Sequence, residues 1–136
     1  MEVCTARVLL AEDGIVNQRV AVRLLEKRGH SVVVANNGRE AVETLLQSKA
    51  DEFDVVLMDI QMPVLDGLAA TQEIREAETS NGRHIAIVAM TAEAMKGDRE
   101  KCLEAGMDDY LSKPIRPQEL YDMIENLAAQ KHPGAG

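Results

Sequence analysis

The stretch VVLMDIQMP at residues 55–63 decides how the rest of the chain is read. Val55, Val56, Leu57 and Met58 are apolar without alternation, which suits a strand covered on both faces, since a strand with one wet face alternates apolar and polar residues. The fifth residue, Asp59, is a carboxylate that an apolar core disfavours. Pro63 then ends the strand, because proline cannot donate to a sheet ladder. The apolar run therefore fixes a buried strand and leaves Asp59 at its carboxyl end.

Four more apolar runs share this character: Arg7–Ala11, Ser31–Ala35, residues 85–90 and the short Asp109, Tyr110, Leu111. With residues 54–58 they make five expected strands. Between them, Val20, Ala21, Leu24, Leu25 and then Ala41, Val42, Leu45, Leu46 repeat at i, i+1, i+4, i+5, which places an apolar stripe on each of two helices. The first is expected to stop at Gly29 and the second to start after the turn signal Asn36, Asn37, Gly38. A third follows Asp66 and Gly67 with Ala70, Ile74 and Ala77 inward, and a last one carries Leu120, Met123, Ile124 and Leu127. Residues 94–106 are helical with few apolar anchors, among Lys96, Asp98, Arg99, Glu100, Lys101 and Glu104, and Gly97 weakens that helix by about 1 kcal/mol relative to alanine. It is expected to dock least firmly. Strand and helix thus alternate five times, and right-handed crossovers limit such a chain to a doubly wound, three-layer α/β sandwich with a parallel sheet. The expected domain covers residues 6–130, with a lead-in at 1–5 and a disordered tail at 131–136.

With 136 residues and 46% hydrophobic composition, one domain with a sizeable core is expected. The formal charge of −8 argues against a nucleic-acid binder, which neutralises phosphates with Lys/Arg clusters. An acidic domain handling phosphate needs a cation. No apolar stretch reaches the length of a membrane span and the N-terminus lacks a signal-peptide layout, so a cytoplasmic setting without membrane contact is expected. Cys4 and Cys102, and His30, His84 and His132, show no metal-ligand spacing. Only Phe53, Tyr110 and Tyr121 are aromatic, which leaves no platform for stacking bases.

In an open parallel sheet, ligands sit beyond the carboxyl ends of the strands near the point where strand order reverses. The first strand ends in Glu12 and Asp13, the third in Asp59, the fourth in Thr91, and the fifth runs into Lys113 and Pro114. Taken singly, Glu12 and Asp13 would cap the next helix, Thr91 would be a turn residue and Lys113 a surface lysine. Gathered on neighbouring strands, two carboxylates about 4 Å apart repel by about 4 kcal/mol at an effective dielectric of 20. Three carboxylates and one lysine sum to two negative charges, which one divalent cation cancels. Mg²⁺ fits, because it takes oxygen ligands and bridges one or two carboxylates to phosphate. The remaining residues suit phosphoryl transfer, a chemistry of positioning and charge stabilisation: Asp59 as nucleophile forming an acyl phosphate, Lys113 pairing with a phosphoryl oxygen, and the Thr91 hydroxyl donating to another.

In VLLAEDGIVNQ (8–18), ANNGREAVE (35–43), VVLMDIQMPVLDG (55–67), IVAMTAEAMKGD (87–98) and GMDDYLSKPI (106–115) the chain closely resembles the receiver domain of two-component response regulators over nearly its whole length. The wording, especially NQ after the acidic pair, is most similar to receivers of hybrid sensor histidine kinases. The resemblance implies a flavodoxin-like (βα)5 fold with strand order 2-1-3-4-5. It implies a Mg²⁺ pocket of Glu12, Asp13, Asp59 and the Gln61 carbonyl, with Asp59 phosphorylated from a histidine kinase or a histidine phosphotransfer domain. It further implies that Thr91 and Lys113 sense the phosphoryl group, that Tyr110 is the switch aromatic, that Lys113-Pro114 is a cis peptide, and that Gln61 and Glu93 tune acyl-phosphate lifetime. A monomer or weak dimer is expected, not a conventional enzyme, although a parent chain could be a kinase. One departure stands out: Gly14 occupies a position where the hybrid-type pattern has Asn. The alternatives are a stand-alone single-domain regulator and a phosphatase with an Asp nucleophile. The phosphatase normally needs a second carboxylate two residues after Asp59, where this chain has Gln61.

Overall fold

A computed structural model describes residues 6–48, 52–60, 64–81, 84–91, 96–112 and 115–131. The elements alternate throughout: β1 (Arg7–Ala11), α1 (Ile15–Lys27), β2 (Ser31–Ala35), α2 (Gly38–Gln47), β3 (Val55–Asp59), α3 (Gly67–Asn81), β4 (Ala86–Thr91), α4 (Lys96–Ala105), β5 (Asp109–Ser112) and α5 (Pro117–Lys131). The five strands form one parallel sheet in the order β2-β1-β3-β4-β5, as expected. The order reverses between β1 and β3, so the ligand crevice of such a sheet lies beyond the carboxyl ends of these two strands.

Both faces of the central strands are buried because their side chains alternate between two cores. Leu9, Val56, Met58, Ile87 and Ala89 pack with Ala41 and Val42 of α2, Ala70 and Ile74 of α3, and Cys102 of α4. Val8, Leu10, Val55, Leu57, Val88 and Met90 pack with Ala21 and Leu25 of α1 and with Leu120 and Ile124 of α5. Each fully buried Leu or Ile here contributes about 1.5–3 kcal/mol of transfer free energy.

The expected stripes on the first two helices are narrower than their spacing implied. Val20 is 46% exposed and Leu46 56%, while Ala21, Leu25, Ala41 and Val42 are buried. Strand β2 also differs from its sisters: three consecutive valines read as covered on both faces, yet Val33 and Val34 are exposed because β2 is the sheet edge and has only β1 beside it. Helix α4 has few inward anchors, Cys102 and Ala105 among its described side chains, and Leu103 is 48% exposed. Its C-terminal end is held by Arg75 of α3, which donates to the Gly106 carbonyl (2.8 Å), the Ile85 carbonyl (2.8 Å) and Asp108 (2.7 Å).

At the amino ends of the strands, the Ala6 N–H donates to His30 Nδ1 (2.9 Å), which places the ring proton on Nε2, 3.3 Å from Glu125. Arg28 donates two hydrogen bonds to the same carboxylate (2.9 and 2.8 Å) and lies over the Tyr121 ring. These bonds hold the Glu125 carboxyl below its ordinary range, against the opposing effect of burial, with His30 adding to the shift. The cluster joins the end of α1 to α5. Apart from Lys131, the last residue of α5, the expected tail lies outside the described residues.

Candidate active site

Asp59 is the last residue of β3, not the residue after it: its backbone continues the ladder opposite Met90, and the residue is only 5% exposed. Thr91 likewise closes β4 opposite Ser112 and is buried. Each polar side chain ends the apolar pattern one residue before the hydrogen-bonded ladder ends, which is why the sequence placed both strands one residue early.

The loop after β1 brings the other two carboxylates to the same edge. The Glu12 N–H donates to the Ala35 carbonyl (3.1 Å), extending the β1–β2 pairing, and Glu12 is 2% exposed whereas Asp13 is exposed. One Glu12 oxygen accepts the Gly14 N–H at 3.2 Å. Gln18, one turn into α1, donates to the Glu12 carbonyl and to the Asn36 side chain (3.0 Å), so the glutamine of the NQ pair braces the loop against its neighbour. The N-cap of α1 is Gly14, and no side chain caps it. Neither Glu12 nor Asp13 is the N-cap residue, although Glu12 does satisfy the Gly14 N–H at the start of α1.

Carboxylate oxygens of Glu12, Asp13 and Asp59 all lie within 4.8 Å of one another. Two of these residues are buried, so solvent screens their repulsion poorly. An all-oxygen, acidic donor set of this kind fits a small hard divalent cation and not a soft thiolate or imidazole metal.

Residues 64–67, which lead into α3, are held close to Asp59 and α2 by main-chain contacts. The Gly67 N–H donates to the Ile60 carbonyl (2.9 Å), and the Gly38 N–H donates to the Leu65 carbonyl (3.1 Å). A Cβ at Gly67 would stand 2.2 Å from the Asp59 carbonyl oxygen, and one at Gly38 2.0 Å from that of Leu65. Only glycine permits either approach. Between them Val64 adopts φ 69°, a left-handed conformation unusual for a β-branched residue, with its side chain 79% exposed. These features escaped the sequence reading, in which Gly38 and Gly67 served only as helix punctuation.

The response regulator receiver domain family model matches residues 8–125. The chain is a response regulator receiver domain. This receiver is 51% identical over 120 residues to hybrid signal transduction histidine kinase I of Dictyostelium discoideum, covering 87% of this chain and 7% of that protein. It is 42% identical to histidine kinase 1 of Arabidopsis thaliana, covering 89% of this chain and 12% of that protein. The receiver thus spans a small fraction of these relatives. Among solved structures, it superposes with a TM-score of 0.81 and 42% identity on the receiver domain of a Pseudomonas aeruginosa sensor histidine kinase, described with a magnesium ion coordinated in its active-site cleft, over 92% of this chain and 98% of that one. A TM-score of 0.90 at 31% identity relates it to a chain of the co-crystal structure of a Saccharomyces cerevisiae histidine phosphotransfer signaling protein with the receiver domain of its downstream response regulator, over 99% and 97% of the two chains.

Of the expected site residues, the structure brings Glu12, Asp13 and Asp59 together and sets Thr91 at the end of the adjoining strand. Tyr110 sits in β5 opposite Ala89, half-buried against the core shared by α2, α3 and α4. Gln61, Glu93, Lys113 and Pro114 lie outside the described residues.

Proposed function

We propose that this receiver accepts a phosphoryl group from a phosphohistidine onto Asp59 in a phosphorelay. The observation that carries the reading is the cluster of Glu12, Asp13 and Asp59 at the carboxyl edge of the sheet, where one carboxylate ends a buried strand and two more stand beside it. An Asp59 oxygen forms the new O–P bond as the P–N bond to the donor imidazole breaks, and the leaving imidazole takes a proton from solvent. The buried β3 backbone, packed closely against Gly67, fixes that oxygen for in-line attack.

Glu12 and Asp13, with Asp59 itself and the Gln61 carbonyl, would hold Mg²⁺. When bound, the ion supplies the positive charge that offsets the carboxylates and the phosphoryl oxygens. Lys113 pairs with one phosphoryl oxygen, and the Thr91 hydroxyl donates to another. Movement of Thr91 draws in Tyr110 and shifts the surface from α4 to α5, consistent with the few anchors of α4. Gln61 and Glu93 set how fast water removes the phosphoryl group.

The donor is a histidine kinase or a histidine phosphotransfer domain, and the parent chain is a hybrid sensor histidine kinase whose receiver lies in the cytoplasm. The hybrid-kinase relatives support this, each far longer than the chain. No helix among the described residues is long and apolar enough to cross a membrane. The test is incubation with Mg²⁺ and acetyl phosphate followed by intact mass measurement. A single-phosphate adduct that is absent in Asp59→Asn is expected. Rapid multiple turnover with no adduct would instead identify an Asp-nucleophile phosphatase.

A further inference from the structure

Edge strands of natural sheets are ordinarily blunted by charged residues, proline or a bulge, because an open edge templates pairing with another chain. Strand β2 has none of these devices. Its sequence is SVVVA, its register with β1 is unbroken over all five residues, and among the described residues β1 is its only neighbour in the sheet. Val33 is 46% exposed and Val34 36%. Val34 stands beside Leu10, on the face covered by α1 and α5, and Val33 stands beside Leu9, on the opposite face.

On the Val34 side, a groove runs between β2 and the flank of α1. Val22 and Val34 line it, together with Arg19, Arg23, Lys27 and Glu26. Three cations and one carboxylate leave a net +2, in a chain of net charge −8. Among the described residues, none of the three cations takes part in an ion pair. Lys27 alone would be accounted for by the helix C-terminus. Arg19 and Arg23 lie further back along the helix, one turn apart.

The spacing of these charges matches a strand. Side chains at i and i+4 of a helix repeat about every 6 Å, and same-face side chains of an extended chain repeat about every 6.6 Å. A strand added to β2 would alternate its side chains, one set toward Arg19, Arg23 and Lys27 and the other beside Val33. We propose that the free edge of β2 binds an extended partner segment that alternates acidic and apolar residues, by strand addition, with its carboxylates on the α1 cations. A second copy of this chain is disfavoured as the occupant. Antiparallel pairing of two β2 edges about a twofold axis keeps both α1 helices on the same sheet face and brings like-charged stripes together. The surface uses the outer flank of α1 and the sheet edge, and Gln18, which braces the Glu12 loop, also lines it.

The experiment is an amide NMR titration of the full chain with a short peptide alternating glutamate and valine, and with a lysine–valine peptide as the charge control. The acidic peptide is expected to shift residues 31–35 and the Arg19 and Arg23 side of α1, to slow exchange of β2 amides, and to bind at least tenfold more weakly to an Arg19→Glu/Arg23→Glu double variant. Val33→Lys, a separate edge-blunting variant, is expected to weaken binding while the α1 cations stay in place. Both variants alter exposed side chains, and unchanged far-ultraviolet circular dichroism would verify folding. Absence of β2 shifts, equal binding of the lysine–valine peptide, or a β2-mediated dimer that the double variant leaves intact would each overturn the proposal.

Discussion

Replacing Asp59 with Asn removes one charge from the cluster and gives a stability change whose sign depends on the metal. The three carboxylates have oxygens within 4.8 Å of one another, so each pair repels by about 3 kcal/mol at an effective dielectric of 20 and by about 1 kcal/mol if fully water-screened. The pair with buried Glu12 lies toward the first value and the pair with exposed Asp13 toward the second. Allowing for nearby positive charge and side-chain relaxation, Asp59→Asn is expected to stabilise the metal-free chain by about 1–3 kcal/mol. Metal reverses the order: Mg²⁺ at a hundredfold excess over its dissociation constant adds about 2.7 kcal/mol to a protein that binds it only when folded. The variant, with a weakened site, should gain little. Urea unfolding of both proteins in chelator and in Mg²⁺ reads the effect as two midpoints per protein, with unchanged slopes. A variant no more stable than the parent in chelator, or equal stabilisation of both by Mg²⁺, would refute this charge balance.

Three further outcomes follow from other parts of the structure. Val64→Gly relieves a left-handed conformation costing about 1–2 kcal/mol while adding about 0.4–1 kcal/mol of unfolded-chain entropy; because the side chain is exposed, a small net rise in urea midpoint is expected. Gly67→Ala forces a Cβ against the Asp59 carbonyl and should cost about 1–3 kcal/mol or more by the same assay, with slower adduct formation from acetyl phosphate. The Glu125 carboxyl is depressed below its ordinary 4.5 by Arg28, so its contribution is fully present above that value and is lost as pH falls through the depressed one. Glu125→Gln should therefore be less stable than the parent near neutral pH, and the gap between their midpoints should close as pH falls below 4.5.

Much of this architecture was legible because its strands are apolar without alternation and its helices carry spaced apolar stripes. VVLMD led directly to β3 and to the position of Asp59. The convergence of Glu12, Asp13 and Asp59 could be reached only through strand order, since the residues lie far apart in the chain. What escaped the sequence depends on surroundings. SVVVA by itself does not mark β2 as an edge, which followed only from the expected strand order, and nothing around Val20 or Leu46 says that their helices turn them outward. The glycine contacts under Asp59 are contacts between main chains, and no periodicity encodes them. Gly14 shows the same limit: the departure from Asn was visible, but that it leaves α1 without a side-chain cap is seen only in three dimensions.

Phosphoryl transfer from a phosphorylated histidine phosphotransfer domain in Mg²⁺, followed by hydroxylamine trapping and peptide mass mapping, tests directly whether Asp59 is the phosphoacceptor. An acyl phosphate yields a hydroxamate at the modified carboxyl, expected at Asp59 and nowhere else. A hydroxamate at Glu12 or Asp13, or transfer that persists in Asp59→Asn, would contradict it.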